Sequence, residues 1–283
     1  QMSAKIIDGK SIASELLDNI KEEIISRTNE GHRAPTLVVI LIGESPASKI
    51  YVGRKIMACE RTGIKSIAHN LKESVTEKEL LKLITSCNQD NMIDGILVQS
   101  PLPSHISEEK IIEAINPKKD VDGFTPYNIG LLAIKSPTLR SCTPYGVIKM
   151  LDTLKIKLEG LDAVVIGQSN HVGRPMFLEL LLKKCTVTIC HSKTKHLHEK
   201  VSQADLVVSA VGEPNFIKGS WIKNGAIVID IGITRLSNNK IVGDVEFDIA
   251  KERASFITPV PGGVGPMTVA TLMENTLIAQ KLF

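Results

Sequence analysis

The stretch from Ala163 to Leu182 constrains this chain more than any other. A β-branched run, Ala163 to Ile166, meets Gly167, then the polar residues Gln168 to His171, then Val172-Gly173-Arg174-Pro175 and an apolar run from Met176 to Leu182. Strand, tight turn and helix start in that order describe the phosphate-binding turn of a dinucleotide fold, and also an ordinary strand-to-helix turn in an α/β domain. Gly167 lets the backbone leave the strand sharply, amides at the helix start would face a pyrophosphate, and Pro175 suits a first helical turn. The match to G-x-G-x-x-G is incomplete, because Ser169 holds the second glycine's place and the third comes late, at Gly173. About twenty residues on, where an NAD site carries an acid for the ribose 2′-hydroxyl, the strand Thr186 to Cys190 ends in His191-Ser192-Lys193-Thr194. Hydroxyls and a Lys there suit a 2′-phosphate, so the residues read as NADP over NAD.

The rest of the chain repeats the α/β pattern. An amphipathic helix carries Ile12, Leu16, Leu17, Ile20, Ile24 and Ile25, and Gly31 stops it. Thr36 to Ile42 is an unbroken apolar run of buried-strand type. A turn at Gly43 to Ser48 feeds a helix from about Ser48 to Thr62, on which Tyr51 and Lys55 share a face. Spacing alone leaves them either a surface pair or a functional one. A poorly marked strand near 65–71 and a helix near 76–89 precede Gly95 to Gln99, where Pro101 and Pro103 place Gln99 at a strand's carboxyl end. Ligands of open α/β sheets collect at such ends. A helix near 107–115 precedes Asp120 and Asp122, two apart in a loop and readable as a charged turn.

A helix capped by Thr143, with Pro144 in its first turn, bridges into the second unit. Two further apolar strands, 204–212 and 225–233, end in glycines. The loop Ile257 to Thr268 holds several prolines and glycines that folding alone gives no reason for, and a helix runs to the end. No P-loop is present, since Gly43 to Lys49 lacks the G-K-[ST] ending.

Composition excludes other classes. With 283 residues there is room for one large domain or two modest ones, and a net charge of +3 from scattered Lys and Arg gives no basis for binding nucleic acid. Five cysteines without a C-x-x-C pair argue for reduced thiols, a cytoplasmic location and no zinc site. His196 and His198 lack a third ligand at metal spacing, so no metal is expected. No apolar run reaches the length of a membrane span. Gln1, ahead of Met2, is read as an expression remnant.

Four motifs carry a resemblance over nearly the whole chain: Gly43-x-Ser45-x-Ala47-Ser48-x-x-Tyr51-Val52-x-x-Lys55, Asp94 to Pro103, Lys119-Asp120-Val121-Asp122-Gly123, and Pro261 to Thr268. With the nucleotide turn, they resemble the bifunctional methylenetetrahydrofolate dehydrogenase/methenyltetrahydrofolate cyclohydrolase family, the FolD type. The resemblance implies two α/β units with a cleft between them. Residues 2–139, completed by a last helix at 269–283, would bind folate, and a Rossmann-type domain at 140–268 would bind NADP. It further implies oxidation of 5,10-methylenetetrahydrofolate with NADP+ and hydrolysis of the product to 10-formyltetrahydrofolate, within one-carbon metabolism, by a homodimer. By the family pattern Lys55 assists hydrolysis, Gln99 is its hydrogen-bond partner, Tyr51 stacks on the folate ring system and Asp122 holds the pterin's amino edge. Pro261 and Gly262 give backbone contacts to folate, while Gly167, Gln168, Ser169, Ser192 and Ile233 line the cofactor. Departures stand at Ser100, His171, Thr234 and Glu246. Gln168 replaces an Arg that meets the 2′-phosphate in some relatives, which keeps NAD in view. The rival readings are a monofunctional dehydrogenase and a catalytically silent dinucleotide-binding protein.

Overall fold

The computed structural model describes residues 3–283, so the reading of Gln1 lies outside the described residues. The chain forms two compact units. One comprises Ser14–Cys142 and Val269–Phe283; the other comprises Thr143–Thr268 and the segment that ends at Ala13.

The chain opens with β1 (Lys5–Ile6) and α1 (Gly9–Asn29). Then β2 (Thr36–Ile42), α2 (Pro46–Thr62), β3 (Lys65–Leu71), α3 (Glu77–Gln89) and β4 (Gly95–Val98) alternate, followed by α4 (Glu108–Ala114) and α5 (Pro126–Ala133). The three strands make a parallel sheet in the order β3-β2-β4. Every residue of β2 is buried, as its apolar run requires of a central strand covered on both faces. Helix α3 starts with a capping box between Thr76 and Glu79, and turns Leu80, Ile84 and Cys87 onto the core formed by Val38, Ile40 and Ile96. Arg33 grips Asp94 at 2.6 and 2.8 Å, and Asp94 also accepts from Thr36 N at 2.8 Å, tying the starts of β2 and β4.

The second unit is built from α6 (Cys142–Thr153), β5 (Asp162–Ile166), α7 (Gly173–Leu182), β6 (Thr186–Cys190), α8 (Leu197–Ser202), β7 (Leu206–Ser209) and β8 (Ile227–Asp230). After these come the antiparallel pair β9 (Thr234–Arg235) and β10 (Ile241–Val242), then α9 (Phe247–Arg253), β11 (Phe256–Ile257) and α10 (Val264–Leu282). Its six-stranded sheet runs β1-β11-β8-β7-β5-β6, each neighbouring pair parallel. From β5 the chain winds outward through α7 to β6, then returns past β5 to β7. The order therefore reverses beside the carboxyl end of β5, which is where open α/β sheets bind dinucleotides. No helix of the described residues is long and apolar enough to cross a membrane.

Several expectations need correction. The lead-in to α1 belongs with the nucleotide-type sheet, not with the unit that follows it, because β1 pairs with β11 through Lys5 opposite Phe256 and Ile6 opposite Ile257. Helix α2 starts at Pro46, before Ser48, since Ser45 caps it by accepting from Ser48 N. Thr143 does not cap α6, which begins at Cys142; its hydroxyl shares a 2.8 Å hydrogen bond with Thr268 instead. The loop before α10 does serve the fold. A Cβ on Gly9 would lie 1.7 Å from Gly263 O, and one on Gly263 would lie 2.4 Å from Pro259 O, so the start of α1 and this loop meet backbone to backbone. Lys10 N donates to Gly262 O at 3.2 Å in the same contact.

Candidate active site

In the first unit, α2 and the carboxyl end of β4 bring two predicted residues together. Lys55 Nζ donates to Gln99 Oε1 at 2.8 Å, and Gln99 Nε2 donates to Ser100 O at 3.1 Å. Gln99 N in turn donates to Ile40 O at 2.9 Å, so the amide that aims the ammonium is fixed to the sheet. Lys55 is half-buried, and Tyr51, one helical turn before it, leaves 43% of its surface exposed. An exposed phenol ring on the helix that carries a half-buried ammonium can cover a flat ligand.

The pair Asp120 and Asp122 divides into a builder and a free acid. Asp120 accepts from Gly123 N, Phe124 N and Thr125 N at 2.8–3.2 Å and from Asn128 Nδ2 at 2.9 Å, so it holds the turn. Lys119 also serves the frame, its Nζ donating to Cys87 O in the last turn of α3 and to Asp90 O just past it. Asp122 accepts none of these turn amides. Burial pushes its carboxyl up to about 6, Lys55's charge pulls it down, and Asp120 pushes it up again. An influence of Lys55 on Asp122 places the two in one electrostatic field. Asp122 also lines a small cavity with Ser100, Leu102, Glu108 and Phe124, where Ser100 Oγ donates to Glu108 Oε1 at 2.6 Å.

Sequence reasoning missed Asn275, on α10. It is fully buried, and its Nδ2 donates to Val121 O at 2.9 Å and Arg140 O at 2.8 Å, so it grips the residue beside Asp122. An Asn among Leu272, Met273 and Leu277 on a buried face was the available signal.

In the second unit, the predicted cofactor residues follow the carboxyl ends of parallel strands: Gly167, Gln168 and Ser169 after β5, Ser192 after β6 and Ile233 after β8. Gly167 has φ +126°, and a Cβ on it would lie 2.5 Å from Ala210 O, beyond β7. Gly173 fits as closely, its Cβ position 2.1 Å from Gly167 O, so the late glycine performs the close helix–strand packing expected of the motif's third glycine. Ser169 at the second place does more than substitute. Its Oγ accepts from Val172 N at 3.2 Å and Gly173 N at 3.3 Å, and its carbonyl from Arg174 N at 2.9 Å. The expectation of bare amides at the start of α7 is thereby corrected: these donors are taken by Ser169. Gln168, Ser169 and Ser192 are exposed, and Ile233 is 48% exposed.

Two buried acids brace this edge and were not foreseen. Asp244 accepts from Ser209 Oγ and from Val211 N, Gly212 N and Glu213 N, at 2.7–3.1 Å, so it ties down the loop after β7. Asp230 accepts from Gly232 N, Asp244 N and Val245 N at 2.9–3.0 Å; burial pushes its carboxyl up to about 6 against the pull of those amides. Pro261 and Gly262 lie on this second unit, in the loop before α10, apart in sequence and in unit from Tyr51, Lys55, Gln99 and Asp122. His198, set aside as a metal ligand, stacks on Trp221 with ring centroids 5.1 Å apart.

Known proteins share this architecture. Residues 7–122 match the tetrahydrofolate dehydrogenase/cyclohydrolase catalytic domain, and residues 141–283 match the tetrahydrofolate dehydrogenase/cyclohydrolase NAD(P)-binding domain. The bifunctional protein FolD of Methylobacillus flagellatus is 64% identical over 281 residues, covering 99% of this chain and 97% of that one. The crystal structure of the bifunctional FolD enzyme of Campylobacter jejuni superimposes with a TM-score of 0.97 at 47% identity, over 99% of each chain. The Trypanosoma brucei methylenetetrahydrofolate dehydrogenase-cyclohydrolase, solved with NADP cofactor and an inhibitor, gives a TM-score of 0.94 at 36% identity, over 99% of this chain and 98% of that one. Matches of this extent, over both units, place the chain in the tetrahydrofolate dehydrogenase/cyclohydrolase family.

Proposed function

We propose that this protein oxidises 5,10-methylenetetrahydrofolate to 5,10-methenyltetrahydrofolate with NADP+ and hydrolyses that product to 10-formyltetrahydrofolate. The observation that carries the reading is the Lys55 Nζ to Gln99 Oε1 hydrogen bond in the field of Asp122, on the unit that matches the family's catalytic domain. A silent dinucleotide binder needs none of these three side chains in that arrangement.

NADP+, when bound, supplies the hydride acceptor. The turn fits such a group: Gly167 and Gly173 leave no room for a Cβ, and exposed Gln168, Ser169 and Ser192 surround the edge where the strand order reverses. Asp122 holds the pterin's amino edge through charge-assisted hydrogen bonds, and Tyr51 stacks on the ring system. Pro261 and Gly262 add backbone contacts. In the second step, water adds to the methenyl carbon and the adduct opens at one ring nitrogen. Lys55 Nζ, aimed by Gln99 Oε1, assists the proton movements that this addition and opening require.

The assembly is a homodimer in the cytoplasm. Five buried, unpaired cysteines support a reducing compartment, and light scattering of the purified protein measures the assembly.

A spectrophotometric assay with 5,10-methylenetetrahydrofolate, run in parallel with NADP+ and NAD+, tests the function. Turnover with NADP+ preferred is expected, together with hydrolysis of methenyltetrahydrofolate above the uncatalysed rate. Oxidation without hydrolysis would leave a monofunctional dehydrogenase, and a folded protein inactive with both dinucleotides would overturn the enzyme reading.

A further inference from the structure

In a dinucleotide fold the adenosine ribose lies past the end of the second strand, and a 2′-phosphate there is met by a nearby Arg. The turn after β6, His191 to Thr194, contains none. It is also partly spent on itself: His191 N donates to Thr194 Oγ1 at 2.8 Å, and Lys193 N donates to His191 Nδ1 at 3.1 Å. Ser192 and Lys193 remain exposed at its tip.

An arginine reaches the same edge from the helix side. Ile166 pairs with Cys190, and Gly167 N donates to Cys190 O at 2.9 Å, so Gln168 leaves β5 alongside the strand that enters the His191 turn. Arg174, second residue of α7, is tied back onto Gln168. Its Nε donates to Gln168 O at 3.0 Å, and its Nη2 donates to Gln168 Oε1 at 3.3 Å. Arg174 and Gln168 are both exposed. Those two bonds use two of the guanidinium's five N–H donors and leave three for a ligand. Helix stability does not account for the charge, because a cation in the first turn is opposed by the helix macrodipole. An anion beside it removes that conflict.

We infer that Arg174, aimed by Gln168, is the cation that receives the cofactor's 2′-phosphate and sets the preference for NADP+ over NAD+. The inference rests on NADP+ being the cofactor, as proposed above. Gln168 is then a positioning residue: its carbonyl and side-chain oxygen hold the guanidinium over the edge that Ser192 and Lys193 share.

Calorimetric titration of NADP+ and NAD+ into the wild-type protein, Arg174→Gln and Arg174→Lys tests it without relying on turnover. Arg174→Gln is expected to weaken NADP+ binding by about tenfold or more, the scale of one charged hydrogen-bonding contact, with NAD+ binding little changed. Arg174→Lys keeps a point charge without the planar fork and falls between the two. Raising ionic strength should weaken NADP+ binding more in the wild type than in Arg174→Gln. Equal weakening for both dinucleotides would assign Arg174 to holding the turn and overturn the inference. So would an unchanged NADP+ to NAD+ ratio in a wild type that prefers NADP+. A wild type that prefers NAD+ would instead remove the cofactor reading beneath it.

Discussion

Among the described residues, Lys55 is held by one neutral acceptor, the amide oxygen of Gln99. That bond aims the ammonium. Lys55→Met preserves most of the aliphatic stem, so the protein should stay folded, with stability within about 1 kcal/mol of wild type. Hydrolysis of methenyltetrahydrofolate should drop by roughly 10²- to 10⁴-fold, the usual share of a general acid–base group. Stopped-flow absorbance against the uncatalysed rate measures this, and retained hydrolysis would sink the role of Lys55. Asp122 sets a pH limit. Its carboxyl is pushed up to about 6, and the role proposed for it, accepting from the pterin's amino edge, requires the ionised form. Activity that depends on the carboxylate is therefore present above that pH and lost as pH falls through about 6. In the free enzyme kcat/KM for 5,10-methylenetetrahydrofolate should show this acidic limb, and Asp122→Asn should abolish the limb while raising KM. A wild-type profile flat between pH 5 and 7 would contradict it. From sequence, Asp120 and Asp122 look alike. Only the fold separates them, by spending Asp120 on the amides of Gly123, Phe124 and Thr125.

At the scale of elements, α10 does more than close the chain. Asn275 satisfies the carbonyls of Val121 and Arg140 from the middle of this helix, and thereby holds the segment that presents Asp122. Asn275→Ala strands both carbonyls and should cost roughly 2–4 kcal/mol. Denaturant titration reads the loss, and KM for folate should rise more than kcat falls, because the change displaces a binding carboxylate. An Asn275→Ala enzyme with wild-type KM would show that Asp122 is placed without it. Elements with strong local patterns were readable in advance: the apolar run of β2 and the strand–glycine–helix sequence of β5 and α7. The poorly marked β3 is an edge strand with alternating exposure, so its sequence Lys65–Leu71 mixes polar and apolar residues. The two-residue strands β1 and β11 carry no pattern at all. They exist because residues 251 apart in the chain pair with each other, and spacing rules see only near neighbours. The same blindness hid the Lys55–Gln99 bond, which the family resemblance supplied and periodicity did not.

For the whole molecule, the consequence lies in how the units are divided along the chain. Each takes a piece from the far side of the chain: β1 completes the six-stranded sheet of the later unit, and Val269–Phe283 belongs with the earlier unit, which holds Lys55. A cut between Cys142 and Thr143 therefore yields no self-sufficient half. The fragment of residues 1–142 lacks the partners that Asn275 and Met273 supply to Val121 and Cys59. The fragment of residues 143–283 lacks its edge strand. Each alone should give poorly dispersed amide spectra, whereas mixing the two should restore dispersion; a well-dispersed spectrum of either fragment by itself would refute the shared dependence. Synthesis on the ribosome meets the same arithmetic. Lys5 and Ile6 are made long before the strand they pair with, which exists only when Phe256 and Ile257 appear, and α10 follows later still. Neither unit can reach its final state before those late segments have been made. Until then the nascent protein carries a strand without its neighbour and a Lys55-bearing unit without its last helix. That interval is when protection by a chaperone would matter most.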